Sequence, residues 1–222
     1  MGTKHKQTPP YYPLFLDLQD KNVLVVGGGQ VAERKVKALL DCRAQVRLIS
    51  PKITMSLKRM VRQGRLHWQP RPFQGGDLRG AFMVFAATDD PEVNHLIAAQ
   101  AGKSHKLVNV ANLPGESNFL VPAVVRRRGL LIAVSTSGQS PALAKWIRRN
   151  LDRTFGKELS CFLDLLGRVR QVLMVRVPTQ AQRQRILNRL VRSEILDLLR
   201  SGRLALARKR IREITGLEGI EF

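Results

Sequence analysis

No stretch limits the fold of this chain more than Asn22 to Val36, which reads NVLVVGGGQVAERKV. The apolar run Val23 to Val26 stops at Gly27, Gly28 and Gly29, and beyond them Val31, Ala32, Val36, Leu39 and Leu40 recur at helical spacing. A strand therefore enters a tight turn and leaves it as a helix. Gly27, Gly29 and Ala32 occupy the small-residue positions of a G-x-G-x-x-G/A pattern. In that pattern the first glycine permits the turn and the second lets backbone approach a pyrophosphate. The third small residue lets the helix pack close to its strand. The helix start, Gln30 and Val31, offers free N–H groups and the positive end of a dipole. Gly27, Gly28, Gly29, Gln30 and Val31 are thus candidate cofactor-binding residues, and a turn that only serves packing is the competing reading.

The alternation continues downstream. Ala44 to Ser50 alternates in the manner of a second strand. A dinucleotide fold specific for NAD usually ends this strand in Asp or Glu, about 20 residues past the glycines, to hold the ribose 2′-hydroxyl. Here Ser50-Pro51-Lys52 stands in its place. Ser50 and Pro51 join the cofactor-binding candidates. Ser50 suits a ribose hydroxyl while Lys52 or Arg47 suits a 2′-phosphate, so this position leaves NAD and NADP both open. A basic helix over Ile53 to Gln63, a short strand over Leu66 to Gln69 and a turn-rich piece, Phe73 to Arg79, follow. Ala81 to Ala87 is a continuous apolar run, the pattern of a central parallel strand covered on both faces. Asp90 before Pro91 predicts an N-cap with proline in the first turn of a helix over Glu92 to Gly102. Thr88 and Asp89, on the loop before that cap, complete the cofactor-binding set. Leu107 to Ala111 reads as the next strand. Such alternation predicts an α/β fold, a Rossmann-type doubly wound parallel sheet with ligands at the carboxyl ends of its strands. Tyr11 to Leu18 is apolar enough to pack on this domain, and residues 1–10 read as disordered.

The period then changes. Asn118 to Val125 and Leu130 to Ser135 read as a β-hairpin joined by Arg126-Arg127-Arg128-Gly129, a basic turn. Ser140-Pro141 predicts a second capped helix, Ala142 to Phe155. From Lys157 onward the chain reads as three amphipathic helices. Their stripes are Leu159, Phe162, Leu163, Leu166, Val169 and Leu173, then Ile186, Leu190, Val191, Ile195 and Leu198, then Leu204, Ala207, Ile211 and Ile214. The expected domains are a Rossmann NAD-binding domain over 1–115, a hairpin-plus-helix segment over 116–155, and a small all-helical C-terminal domain over 156–222.

Charge bears on partners. Lys and Arg outnumber Asp and Glu by 38 to 17, giving +21, which calls for an anionic ligand. Nucleic acid is not the expected one: the basic residues are scattered, aromatics are only 5%, and no helix-turn-helix, RRM or zinc-finger pattern is present. Cys42 and Cys161 lie far apart without ligand spacing, so neither zinc nor a disulfide framework is expected. His67, His95 and His105 have no partners at ligand spacing either. No metal site is therefore predicted. No apolar run is long enough to span a membrane and no signal-peptide core is present, so the expected location is the cytoplasm.

The ordered segments YYPLFLDL, VLVVGGGQVAERKV, FAATDD, NVANLPGESNFLVPA and IAVSTSGQSPALAKWIR closely resemble the precorrin-2 dehydrogenases, also met as the first part of siroheme synthases. The resemblance is strong from Tyr11 to Phe155. It implies oxidation of precorrin-2 to sirohydrochlorin with NAD as cofactor, and in some members insertion of ferrous iron to give siroheme. It also implies a homodimer in which the hairpin and helical tail form the subunit contact and line the tetrapyrrole cleft. Precorrin-2 carries eight carboxylates, which suits the basic excess through charge-assisted, bidentate hydrogen bonds. Arg126, Arg127, Arg128 and Lys145, with Arg148 and Arg149, are the candidates; for any one of them a solvated surface charge is the competing role. Thr136 and Ser137 align with a serine-rich loop near the family's substrate.

One position departs from the family. Its N-V-x-D segment ends in an aspartate credited with acid/base work, whereas this chain reads Asn109-Val110-Ala111-Asn112. An amide orients but does not accept a proton at physiological pH. Asn112 and Glu116 are the catalytic candidates: the proton leaves to water, Glu116 takes it, or activity is lost. Iron insertion, which must strip pyrrole N–H protons, is expected to be weak or absent. Besides the NAD-dependent oxidoreductase, a nucleotide-sensing binding module without turnover and, from charge alone, a nucleic-acid-binding protein are the other function classes.

Overall fold

A computed structural model describes residues 11–217; residues 1–10, read above as disordered, and 218–222 lie outside the described part. The described chain divides into two compact units that part between Val121 and Pro122.

The first unit is a five-stranded parallel sheet in the order β3-β2-β1-β4-β5. Its strands are β1 (Asn22–Val26), β2 (Gln45–Ile49), β3 (His67–Gln69), β4 (Met83–Ala86) and β5 (Leu107–Val110). Helices α1 (Gln30–Asp41), α2 (Met55–Arg62) and α3 (Pro91–Lys103) connect them. Period-two alternation divides the core between the two faces of the sheet. Val23, Val25, Val46, Leu48, Met83 and Phe85 pack with Val36 and Leu39 of α1 and Leu57 and Met60 of α2. Leu24, Val26, Ile49, Val84, Ala86, Val108 and Val110 pack with Ile97 and Ala101 of α3. Both faces are covered, which is why β1 and β4 read as unbroken apolar runs. The chain order reverses at β1, between β2 and β4, and leaves a crevice at the carboxyl ends there.

Caps set several boundaries. The helix expected from Ile53 starts instead at Met55, because Thr54 Oγ1 accepts the Leu57 N–H at 3.2 Å. Asp90 caps α3 as expected, its Oδ1 accepting from Glu92 and Val93 at 2.9 and 3.3 Å. The expected packing of Tyr11 to Leu18 holds only at its end. Leu18 is buried and its carbonyl anchors a turn from Lys21 at 3.0 Å, while Tyr12, Leu14 and Phe15 are exposed on a segment with no regular secondary structure.

The second unit begins with the hairpin β6 (Ala123–Arg127) and β7 (Leu130–Val134), followed by α4 (Pro141–Thr154), α5 (Lys157–Arg176), α6 (Gln180–Val191), α7 (Ile195–Arg200) and α8 (Leu204–Thr215). Arg126 and Arg127 belong to the strand, not to the turn. The turn is Arg128, at φ +43°, with Gly129. The expected second stripe splits into two helices where Ser193 Oγ donates to the Leu190 carbonyl at 2.6 Å and interrupts the helix. The α5 core is Phe162, Leu165, Val169 and Leu173; Leu163, one residue past Phe162 and so about 100° around the helix, lies outside it beside Gly129.

Candidate dinucleotide site

The crevice at the switch point has a volume of about 660 Å³, and Gly27, Gly28, Gly29, Ser50, Pro51, Thr88 and Asp89 all line it. Gln30 and Val31 do not; they form the first turn of α1 beside it.

Each glycine does a different job. Gly27 is at φ +117°, and a Cβ there would meet the Ala87 carbonyl oxygen at 2.1 Å, so no other residue fits. Gly28 packs beneath the loop after β2. A Cβ on it would lie 1.8 Å from the Lys52 carbonyl oxygen, and its own carbonyl accepts the Thr54 N–H at 3.0 Å. Gly29 has nothing within 4 Å of its Cβ position and is the N-cap of α1, with no side chain capping the helix. Helices α2, α3 and α4 are capped by Thr54, Asp90 and Ser140. The first N–H groups of α1 thus keep their donors free, as an anion requires. Ala32, fully buried, is the third small position.

At the end of β2, Ser50 is buried, and its hydroxyl donates to the Lys52 carbonyl at 2.7 Å. Trp68 Nε1 donates to the Ser50 carbonyl at 2.9 Å. Arg47 is not available for a 2′-phosphate. Its guanidinium donates to the Asp77 and Arg79 carbonyls, while Asp77 is itself held by Arg71 at 2.5 and 2.8 Å. Arg71 keeps the Asp77 carboxyl below its ordinary value. Lys52 is the exposed cation that lines the crevice.

Two buried asparagines missed above organise the loops. Asn94 of α3 donates to the Thr88 carbonyl at 3.0 Å and accepts its N–H at 3.2 Å, which fixes the loop that carries Thr88 and Asp89. Asn109 of β5 accepts from Lys35 at 2.9 Å and donates to the Phe119 carbonyl at 3.2 Å. Lys35 also stands 5.1 Å over the Phe85 ring, and burial pulls its pKa down. A polar residue inside an apolar run, as Asn109 is in LVNV, was the available signal.

Asn112 follows β5 at φ +63°, a conformation asparagine tolerates better than most residues. Glu116 ends a short turn, Pro114–Glu116, with Oε1 3.1 Å from Nδ1 of His95. Neither Asn112 nor Glu116 lines the crevice. Among the described residues no cluster of His, Cys, Asp and Glu could hold a metal.

In the second unit the basic candidates part company. Arg127 pairs with Asp152 at 2.6 Å and Arg128 with Asp164 at 2.9 Å, so both charges are matched within the unit. Arg148 stands 4.0 Å from Asp152. Arg126, Lys145 and Arg149 are exposed. Thr136 Oγ1 donates to the Ser140 carbonyl at 3.0 Å and accepts its N–H at 3.1 Å, locking the turn before α4. Ser137, at φ +53°, lies within that turn.

Comparison with known proteins agrees with this geometry. A family described as NAD(P)-binding matches residues 14–123, and one described as sirohaem biosynthesis protein central matches residues 127–154. A siroheme synthase of Mannheimia succiniciproducens is 34% identical over 201 residues, 90% of this chain and 42% of its own length. Siroheme synthase 1 of Serratia proteamaculans is 33% identical over 91% of this chain and 43% of its own length. The chain thus spans about two fifths of the length of these curated relatives. A solved structure of SirC, a precorrin-2 dehydrogenase, superposes with a TM-score of 0.78 at 27% identity and covers 93% of this chain and 100% of its own.

Proposed function

The chain belongs to the family of the precorrin-2 dehydrogenases and the corresponding part of siroheme synthases, and from that premise we propose that it oxidises precorrin-2 to sirohydrochlorin with NAD. The observation that carries the reading is the uncapped start of α1 above the open Gly29 position, in a unit whose other helices are capped by their own side chains. Gly27, Gly28 and Gly29, with the first N–H groups of α1, hold the diphosphate. Ser50 and Pro51 face one ribose, and Thr88 and Asp89 close the other side of the crevice. NAD held there by these residues would supply the hydride acceptor for the oxidation.

The residues of the chain bind, orient and leave a path for the accompanying proton. Lys145 and Arg149, exposed on α4, together with Arg126 meet the carboxylates of the macrocycle; Arg127 and Arg128 brace the hairpin through Asp152 and Asp164. The amide of Asn112 accepts no proton, so the proton passes to water. Iron insertion, which needs a base to strip two pyrrole protons, is weak or absent for the same reason. The protein works as a cytoplasmic homodimer, with the exposed Leu143 and Trp146 of α4 in the contact.

The test is to incubate the purified protein with precorrin-2 and NAD+ and to follow sirohydrochlorin and NADH by absorbance. Both are expected to rise together. Tight NAD+ binding with no turnover would move the assignment to a nucleotide-sensing module, and failure to bind NAD+ would remove it altogether.

A further inference from the structure

A second concavity, about 650 Å³, is lined by α6 and α8 of the C-terminal unit. Three arginines line it from one element: Arg185 and Arg189 of α6, and Arg192 at its C-cap. Intervals of four and three residues set them on consecutive turns of one helix face, a row roughly 10 Å long. None of the three guanidinium groups has a hydrogen-bond or ion-pair partner among the described residues. Helix α6, QAQRQRILNRLV, contains no acidic residue that would relieve their repulsion. Arg210 of α8 also lines the groove, but its Nε lies 3.0 Å from Glu194 and its other end 2.9 Å from Glu213, so the one carboxylate in the lining is neutralised from within. The amides of Gln184 and Asn188 complete the polar wall.

Three unmatched guanidinium groups converging on one groove weaken the helix that carries them unless an anion joins them. We propose that this groove binds a small ligand bearing two or more closely spaced phosphate or carboxylate groups. Guanidinium forks engage both groups in bidentate fashion. The lining contains no aromatic ring, which leaves nothing to stack a nucleobase and disfavours a single strand of nucleic acid. None of these residues is among those assigned above to NAD or to precorrin-2.

Calorimetric titration of the full chain at fixed ionic strength, with tripolyphosphate and separately with citrate, tests the site. Saturable binding of at least one probe is expected, tripolyphosphate being favoured by a phosphorylated ligand and citrate by a polycarboxylate. The variant R185Q/R189Q/R192Q is expected to lose about tenfold or more in affinity. The control K58Q/R59Q/R62Q, which removes the same charge from α2, is expected to stay within about twofold of wild type. The guanidinium groups of Arg185, Arg189 and Arg192 make no hydrogen bond or ion pair among the described residues, so the variant should melt no lower than wild type; if it melts early, the single variant R189Q gives the same reading through a smaller loss. Equal loss in both triple variants, no saturable binding of either probe, or binding of a DNA duplex alone would each overturn the proposal.

Discussion

Glu33 shows how one side chain ties two elements of the first unit together. Its carboxylate accepts from Lys37 at 2.5 Å and from the Thr54 hydroxyl at 2.7 Å, joining the first turn of α1 to the cap of α2. Lys37 first, then Thr54 and Ser56, hold its pKa down to about 2. A carboxyl whose folded pKa lies below the unfolded value adds stability above the unfolded value and loses it as pH falls through the folded one. Glu33→Gln should therefore melt below wild type at neutral pH, the gap closing from about pH 5 down to about pH 2. A gap that stays constant across a pH series of thermal melts would show that the charge is not its source. Asn112 supports a sharper forecast. Its left-handed backbone suits aspartate nearly as well as asparagine, so Asn112→Asp restores a proton acceptor without added strain. Iron insertion into sirohydrochlorin, followed by absorbance, is expected to rise about tenfold or more, with the NADH-forming rate little changed. That substitution was visible in the sequence because it interrupts a motif. The pairing of His95 with Glu116 was not, since it joins residues 21 apart through the packing of α3 against the loop after β5.

Among the elements, the glycine turn was the most legible, and the three residues respond differently to the same methyl group. Gly28→Ala drives a Cβ into the backbone carbonyl of Lys52, so both folding and cofactor binding should suffer. Gly29→Ala meets no protein atom and should keep the wild-type melting temperature, yet it fills space proposed for the diphosphate and should weaken NAD+ about tenfold or more. Thermal melts and NADH fluorescence titrations of the two variants separate these outcomes; unchanged NAD+ affinity in Gly29→Ala would remove the diphosphate from that turn. The strands and the Asp90 cap were legible for a related reason, since strand periodicity and caps are local signals. The helical stripes were less so. Leu165, not Leu163, is buried in α5, because the hairpin turn at Gly129 draws Leu163 to itself, and no local pattern announces a neighbour from another element. The exposed segment Tyr11 to Leu16 is the same lesson inverted, because apolar composition alone does not supply a surface to pack on.

For the whole molecule, a net charge of +21 says that an anion is met but not where. Ion pairing within the second unit does part of the sorting: it retires Arg127 and Arg128, whose acidic partners lie 25 and 36 residues away, and leaves Lys145 and Arg149 on α4 exposed. The same helix exposes Leu143 and Trp146, at 47% and 61% of their full area, three residues apart and so on one face. An exposed tryptophan beside an exposed leucine is the composition of an interface anchor, and aromatic anchors of this kind commonly contribute about 2 kcal/mol or more, roughly a thirtyfold change in dissociation constant. Trp146→Glu places a charge in the proposed contact. If the proposed homodimer forms through α4, sedimentation velocity across a concentration series should show a dimer for the wild type and a monomer for the variant, with NAD+ affinity retained because the crevice residues all belong to the first unit. A variant that stays dimeric at the same concentrations would move the subunit contact away from α4. The hairpin β6–β7, a two-stranded sheet with unpaired edges, would then be the next surface to probe.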